Sequence, residues 1–392
     1  MQASLRRNKH AVLTAVLRPC CVAAAMVVPS TALFAASQFL YLDAAYQQEI
    51  YTGPLVGGPG MAWTPGGNLL TRNAAGLIEY APTASATYLG TNIHPTLTTH
   101  VIAGLNSGST YGMVNGHDGY IYATTGTGLQ RIDPTTWTVT TPGVDLLGSS
   151  VPTGQAWGIT VLPNGKIAYV AGGATNQVYL YDPVGNTNAL IYTAPSLIDD
   201  IEASPTGEIA LAEVSSNKIR IISASGMLLT TVDSATANNT AGSHYADGLA
   251  FGYGTASHKL FSNDNQGSIT EYDFDSSYST LLASQTIASG GSYGDLAAVG
   301  PDCALYVSQF YNPLGAPRGS NFGTHWVGGT NNDPTVVRIS SKDGSCAFAS
   351  TGTGNPHPVS EPAGALLAMS ALALMAVFRR RVPTPQRLRQ PG

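Results

Sequence analysis

Two stretches of the chain share one pattern, LPNGKIAYV at residues 162–170 and SPTGEIALA at residues 204–212. Each begins with a Gly-containing turn and continues into a short apolar run. A short apolar run bounded by turn residues predicts a strand that is buried on one or both faces. The repeat therefore predicts a fold built from copies of one unit of strands and turns.

Six copies of this unit follow one another along the chain. Their aligned positions, each at the start of an apolar run, are Met61, Met113, Ile159, Ile201, Leu249 and Leu296. The steps between these positions are 52, 46, 42, 48 and 47 residues. A period of 40–50 residues with four strands per unit is typical of a β-propeller blade. We therefore predict an all-β, six-bladed β-propeller over residues 38–352, with a solenoid as the alternative.

One predicted strand has no unit of its own. It is QEIYT at residues 48–52, which resembles the predicted outermost strand ALIYT at residues 189–193. A ring of blades avoids long free sheet edges only if it closes. We expect residues 48–52 to pair beside the last unit, residues 296–350, and so close the ring.

Two cysteines, Cys303 and Cys346, lie in the sixth unit. We place both in turns at the same end of the blade, before its second and fourth strands. A disulfide needs Cα atoms within about 7 Å and an oxidising compartment, which export would provide. We predict a disulfide between them, and two buried free thiols are the alternative.

Charge is distributed unevenly along the chain. The body between residues 38 and 357 has 9 basic and 22 acidic residues, a net charge of −13. An acidic protein repels the phosphates of nucleic acids, so we expect no nucleic-acid partner. The other nine basic residues lie in the two end segments, where they indicate membrane topology signals.

The first 37 residues have the pattern of a signal peptide. Arg6, Arg7 and Lys9 form a positive start, and an apolar stretch follows over residues 20–36. Small residues at 35–37 suit a signal peptidase, so we predict cleavage after Ser37. A short buried N-terminal helix is the alternative.

The last segment has three parts that follow a linker at residues 353–358. The tail, residues 359–392, opens with Val359, Ser360, Glu361 and Pro362. An uncharged, mostly apolar span follows over residues 363–378, and Arg379, Arg380 and Arg381 end it. Sixteen helical residues reach about 24 Å, somewhat less than a hydrocarbon core of about 30 Å. We predict a single transmembrane helix with the basic end in the cytoplasm and the body outside.

This tail resembles the PEP-CTERM sorting signal of Gram-negative bacteria, with Ser360 where the first Pro is usual. The resemblance implies processing by an exosortase after a transient stay in the inner membrane. It also implies delivery to the cell surface or to an extracellular polysaccharide matrix. A permanent C-terminal anchor is the alternative.

Candidate ligand-binding residues precede the predicted innermost strands. In a propeller these positions line one mouth of the axial channel. They are Tyr111, Trp157, Asp199, Asp200, Asp247, Tyr293 and Asp295, with His244 close to Asp247. Aromatic rings and carboxylates at a concave site can hold a sugar or a cation. The alternative is that these residues close turns between blades and hydrogen-bond to backbone amides.

The fifth unit resembles a blade of gluconolactonase-type propellers, which are related to the NHL and SMP repeats. The matching segments are DGLAF at 247–251, KLFSND at 259–264 and EYDFD at 271–275. The resemblance implies a divalent cation such as Ca²⁺ near the axis, with Asp247 as a ligand. That family also supplies a Glu ligand from its first blade, whereas residues 57–60 here are GGPG.

Two functions agree with these patterns. The first is an exported binding protein that needs no cofactor and recognises an extracellular polysaccharide or a surface protein. The second is a metal-dependent lactonase-like hydrolase, or a lyase, that acts at the channel mouth. The sequence names no catalytic residue.

Overall fold

The computed structural model describes thirteen stretches of the chain, all within one compact unit. They are residues 39–53, 60–73, 76–88, 91–105, 112–125, 128–140, 158–171, 176–213, 216–234, 245–265, 267–291, 293–310 and 334–348. The predicted signal peptide, linker and sorting tail lie outside these ranges. No helix within them is long and apolar enough to cross a membrane.

Six antiparallel sheets of four or five strands form the body, and these are the predicted blades. Their innermost strands are β3 (Met61–Trp63), β9 (Met113–Asn115), β13 (Ile159–Val161), β17 (Ile198–Ala203), β21 (Ala246–Phe251) and β25 (Tyr293–Val299). Each innermost strand contacts the next one along the chain, and β25 contacts β3. The ring is therefore closed, and the six-bladed propeller is confirmed.

The remaining strands of each blade follow in order from the axis outward. The second strands are β4 (Leu69–Asn73), β10 (Ile121–Thr125), β14 (Ile167–Ala171), β18 (Ile209–Glu213), β22 (Lys259–Asp264) and β26 (Leu305–Phe310). The third strands are β5 (Gly76–Tyr80), β11 (Gly128–Asp133), β15 (Gln177–Asp182), β19 (Lys218–Ile222), β23 (Ile269–Phe274) and β27 (Pro334–Ser341). The fourth strands are β8 (Thr96–Val101), β12 (Thr138–Thr140), β16 (Thr187–Thr193), β20 (Leu228–Asp233), β24 (Leu281–Ser289) and β2 (Tyr46–Ile50).

Ring closure uses the N-terminal strand, as predicted. β2 pairs antiparallel with β27, with Gln48 opposite Ile339, and becomes the fourth strand of the sixth blade. The strand begins two residues before the predicted segment and ends at Ile50.

A second N-terminal strand, which the sequence did not predict, joins the fifth blade. β1 (Tyr41–Leu42) pairs with β24 and extends that sheet to five strands. Just before it, the Gln48 side chain donates to the Phe39 carbonyl at 2.8 Å and accepts from the Phe39 amide at 3.0 Å. The Phe39 ring is buried among residues of the fifth and sixth blades. Residues 39–50 therefore hold these two blades together.

The first blade carries an additional hairpin, β6 (Ala86–Tyr88) and β7 (Thr91–Ile93), between its third and fourth strands. This insertion accounts for the longest step in the repeat. His94, which follows β7, stacks on Tyr51 with ring centroids 3.7 Å apart and contacts Glu49 at 2.9 Å. The hairpin is thus fastened to the closing segment.

The hydrophobic core is divided among the interfaces between blades. Six clusters of buried side chains occur in the described ranges, and each one joins two neighbouring blades. Between the fourth and fifth blades, for example, Ile219 and Ile221 belong to the same cluster as Leu249 and Phe251. Burial of such side chains contributes about 1.5–3 kcal/mol each, so every blade is stabilised chiefly by its neighbours.

The predicted disulfide between Cys303 and Cys346 is present, with the Cα atoms 5.0 Å apart. Cys303 lies in the turn before β26, as expected. Cys346 follows β27, the third strand of the blade, and does not precede a fourth strand as we expected. The reason is that β2 supplies the fourth strand from the other end of the chain.

Candidate functional site

Three neighbouring innermost strands are irregular at the same end. Their pairing register shifts between Ile198 and Ile201 in β17, between Ala246 and Gly248 in β21, and between Gly294 and Ala297 in β25. The candidate aspartates fall in or beside these irregular segments, whereas β3, β9 and β13 pair in regular register. A β-bulge redirects side chains and is common beside active sites. The fourth, fifth and sixth blades therefore form a distinct, acidic side of the axis.

A glycine allows two of these strands to lie unusually close. A Cβ atom on Gly248 would lie 2.0 Å from the Asp295 carbonyl oxygen, so no side chain fits at this position. The backbone next to Asp247 consequently packs directly against the backbone of Asp295.

Two carboxyl groups form a pair at this mouth. The Asp199 and Asp247 side chains lie close enough for Asp247 to affect the pKa of Asp199. Two carboxylates at close range repel each other, and a proton on one of the two groups relieves that repulsion. Burial raises the pKa of Asp199, and the interaction with Asp247 opposes that rise. Asp247 is only 2 % exposed.

Asp295 belongs to the same electrostatic group. Burial is the main reason that its pKa is well above the usual range, and the nearby charge of Asp199 raises it further. The mouth can therefore retain protons at pH values where an exposed aspartate is fully ionised.

Asp200 has a different role. It matches the alternative given above, in which these residues hydrogen-bond to backbone amides between blades. Its Oδ2 accepts a hydrogen bond from the Leu249 amide at 2.8 Å, which connects the fourth and fifth blades. Burial raises its pKa well above the usual range, although the bond from Leu249 works in the opposite direction. We therefore assign Asp200 to blade-to-blade contact.

A polar network holds the sixth blade in place behind the site. The Asn263 side chain donates to the Asp295 carbonyl at 2.8 Å and to the Ser308 carbonyl at 2.9 Å. Gln309 in turn donates to Asn263 Oδ1 at 2.5 Å. Because all these groups are buried, the network fixes the backbone from which Asp295 projects.

A small cavity of about 30 Å³ lies along the axis, enough space for one or two water molecules. Both apolar and acidic residues of the inner strands line it. The lining residues include Met61, Trp63, Met113, Ile159, Leu296, Asp200 and Glu202. Burial raises the pKa of Glu202 to about 8, against the effect of a hydrogen bond with Thr160.

The structure brings together Asp199, Asp247 and Asp295 among the predicted site residues. Tyr111, Trp157 and His244 lie outside the described residues, and only the backbone of Tyr293 is described. The sequence analysis missed Glu202. The sequence did contain a sign of it. Glu202 is an acidic residue within the inner-strand segment IDDIEA at 198–203, and the residues at the equivalent position in the other blades are apolar or carry a hydroxyl group.

The ligand set for a divalent cation is incomplete in the described part of the chain. No three His, Cys, Asp or Glu side chains there are placed to hold one metal ion. Residues 57–60 also contain no carboxylate that could serve as the first-blade ligand. A hard cation such as Ca²⁺ takes six to eight oxygen ligands. The described residues therefore do not match the metal site that the gluconolactonase resemblance implies.

Comparison with known proteins finds no matching family model and no matching curated sequence. Several solved structures are similar. The calcium-binding protein regucalcin from Agrobacterium tumefaciens is 15% identical over 75% of this chain and 95% of its own, with a TM-score of 0.48. A gluconolactonase from Xanthomonas campestris is 13% identical over 77% of this chain and 88% of its own, with a TM-score of 0.46. A luciferin-regenerating enzyme is 11% identical over 76% of this chain and 96% of its own, with a TM-score of 0.48.

Proposed function

We propose that this protein hydrolyses a small ester or lactone at the mouth formed by the fourth, fifth and sixth blades. The observation that supports the proposal is the pair of neighbouring carboxyl groups, Asp199 and Asp247, on adjacent, bulged inner strands. A pair that shares one proton provides a general base and a general acid together. The gluconolactonase resemblance of the fifth unit makes lactones the first substrates to test.

The proposed reaction needs only water and the pair. The ionised carboxylate takes a proton from a water molecule while the water oxygen bonds to the substrate carbonyl carbon. The tetrahedral intermediate then breaks its bond to the ring oxygen, which receives a proton from the protonated carboxyl. The pair ends with one proton, as it began, and the new carboxylic acid releases its proton to the solvent.

The experiment measures hydrolysis of glucono-δ-lactone and γ-butyrolactone by the full chain in a pH-stat. Asp199→Asn and Asp247→Asn should each lower kcat by about 10²–10⁴-fold, the usual contribution of acid–base catalysis. Glu208→Gln, in a turn of the fourth blade away from the mouth, is the matched control and should retain activity. Turnover no faster than the uncatalysed reaction, or full activity in Asp199→Asn, would contradict the proposal.

A metal requirement is tested in the same assay. Activity that EDTA removes and Ca²⁺ restores would overturn the metal-free reaction. Activity unchanged by EDTA would support it.

A second candidate function is that of a binding protein, and the incomplete metal ligand set in the described residues favours it over a metal-dependent enzyme. The ligand would be an extracellular polysaccharide or a surface protein. Co-sedimentation of the full chain with extracellular polysaccharide, together with no lactone hydrolysis, would favour this candidate.

We also propose export and surface delivery through the two end segments. The support is the order of motif, apolar span and Arg cluster over residues 359–381. Replacing Glu361 and Pro362 with Ala should leave an unprocessed, membrane-bound chain in cell fractions. Normal release of that variant would refute exosortase processing at this motif, whereas a parent chain that itself stays membrane-bound at full length would indicate the permanent anchor.

A further inference from the structure

We propose that a protonated histidine, His94, fastens the strand that closes the ring, so that closure is tighter in acidic than in alkaline surroundings. The histidine directly follows β7 of the first-blade hairpin. Its partner Glu49 lies in β2, the closing strand. This contact lies outside the candidate site and does not depend on the proposed hydrolysis.

Both ring nitrogens of His94 face oxygen atoms. Nδ1 lies 2.7 Å from the Ala81 carbonyl oxygen, and Nε2 lies 2.9 Å from Glu49 Oε1. A carbonyl oxygen and a carboxylate oxygen accept hydrogen bonds and cannot donate them. A neutral imidazole has one N–H group, whereas an imidazolium has two. The protonated ring is therefore the form that donates to both oxygens at once.

The neighbouring charges favour the same form. Glu49 also forms an ion pair with Arg338 of β27 at 3.6 Å, and Arg338 donates to Asp302 at 2.7 Å. A nearby guanidinium favours the ionised form of a carboxyl group, so the proton of the contact belongs to the histidine. With the ring protonated, these four side chains carry two positive and two negative charges. With the ring neutral, one negative charge is left without a partner.

Two tyrosines complete the surroundings of the ring. Tyr51 stacks on His94 with the two planes 9° apart, and aromatic faces attract cations. Burial is the main reason that the pKa of Tyr51 rises to about 12. Burial also raises the pKa of Tyr306, which packs edge-on against Tyr51. Both hydroxyls therefore stay neutral, and His94 is the group that titrates at this contact.

Loss of the proton removes one of the two donors. Either the Ala81 carbonyl or the Glu49 carboxylate then faces a ring nitrogen that has a lone pair and no hydrogen. Because His94 is only 6 % exposed, water offers little replacement, and a shielded acceptor without a donor is costly. The hairpin then holds β2 less firmly. The closing strand should consequently open more often as pH rises.

His100 offers a matched control in the same blade. Its Nε2 lies 2.7 Å from Glu79 Oε2, and its ring stacks on Trp137. His100 belongs to β8 and Glu79 to β5, which are neighbouring strands of one sheet. This pair therefore does not connect the blade to the closing strand, and its protonation should leave closure unaffected.

The experiment follows amide hydrogen exchange of the full chain by NMR between pH 5 and pH 9. The reporter is the Tyr51 amide, which donates to the Val336 carbonyl at 2.7 Å beside the closing strand. The reference is the Val170 amide in the third blade, which donates to the Gly158 carbonyl at 3.0 Å. Each rate is divided by that of an unstructured peptide at the same pH. The ratio of the two protection factors removes changes in the stability of the whole ring, and the ring nitrogen signals of His94 report its protonation.

We expect the protection of Tyr51 relative to Val170 to fall at least about tenfold over the pH interval in which His94 loses its proton. A tenfold change corresponds to the loss of about one hydrogen bond. His94→Gln keeps one donor and cannot titrate, so it should abolish this fall. His100→Gln should retain it.

The measurement on the unaltered protein decides the matter if His94→Gln does not fold. A His94 ring that is neutral at pH 5, or still protonated at pH 9, would overturn the proposal. So would a constant relative protection while the ring titrates, or a fall that persists in His94→Gln.

Discussion

The side-chain amide of Asn115 hydrogen-bonds to both backbone polar groups of Trp63 across the boundary between the first and second blades. Its Nδ2 donates to the Trp63 carbonyl at 2.7 Å, and its Oδ1 accepts from the Trp63 amide at 2.8 Å. Thr160 and Asp200 make comparable side-chain contacts to backbone amides of the next blade. The inner strands of neighbouring blades share no sheet, so these side chains supply hydrogen bonds between them.

Replacement of Asn115 by Ala should therefore weaken the ring. Loss of both hydrogen bonds should lower the free energy of unfolding by about 1–3 kcal/mol. Urea unfolding of the full chain measures this. Asn164→Ala, at an exposed turn position that bonds only locally to Lys166, is the control and should change stability much less. Equal unfolding midpoints for the two variants would contradict the role of Asn115.

Removal of the disulfide should destabilise the sixth blade. Cys303 and Cys346 are separated by 43 positions, and cross-links closing loops of this size typically stabilise by about 2–4 kcal/mol. The double Ser variant should unfold at lower urea concentration than the parent. Dithiothreitol should lower the stability of the parent and leave the double variant unchanged. An effect of dithiothreitol on the double variant would exclude this disulfide as its cause.

Phe39 and Leu40 provide a matched pair at the N-terminal segment. Phe39 is 1 % exposed in the core of the last two blades, whereas its neighbour Leu40 is 85 % exposed. Phe39→Ala should cost about 3–5 kcal/mol, as for a buried aromatic ring, and Leu40→Ala should stay within about 0.5 kcal/mol. Thermal unfolding of both variants tests this. Similar losses would show that the segment contributes little to closure.

Glu202 should make stability depend on pH. Its pKa is raised to about 8 in the folded protein, and the unfolded value is near 4.3. Between these values the folded state holds a proton that the unfolded state has lost, so stability decreases as pH rises. The contribution of this one group is at most about 1.4 kcal/mol per pH unit.

The comparison for this effect is Glu202→Gln. Its unfolding free energy should decrease less between pH 5 and pH 8 than that of the parent. Parallel pH profiles for the two proteins would mean that Glu202 is ionised in the folded state throughout.

The period of the repeat was sufficient to predict the blades. Turn glycines such as Gly165 and Gly207 adopt positive φ angles at equivalent places, and the apolar runs that follow them become the buried strands β14 and β18. The closing strand could be found because residues 48–52 match an outermost strand in sequence. These features are local patterns, so they can be read from the chain directly.

The remaining features depend on tertiary contacts. β1 has only two residues, too few to show a periodic pattern, and it forms because Phe39 is anchored nearby. The bulges that group Asp199 with Asp247 follow from how neighbouring inner strands pack at the axis. Glu202 was missed because the sequence analysis considered residues before the inner strands and not those within them.

The pairing of β2 with β27 has a consequence for how the chain matures. The last blade is completed by strands from opposite ends of the body, so it cannot assemble until the segment up to Ser341 has emerged. Until then the emerging chain exposes two unpaired sheet edges where the ring is still open. Unpaired edges can form hydrogen bonds with strands of other chains. A chaperone that shields these edges while the chain is being made would therefore protect this protein more than a chaperone that acts on the finished ring.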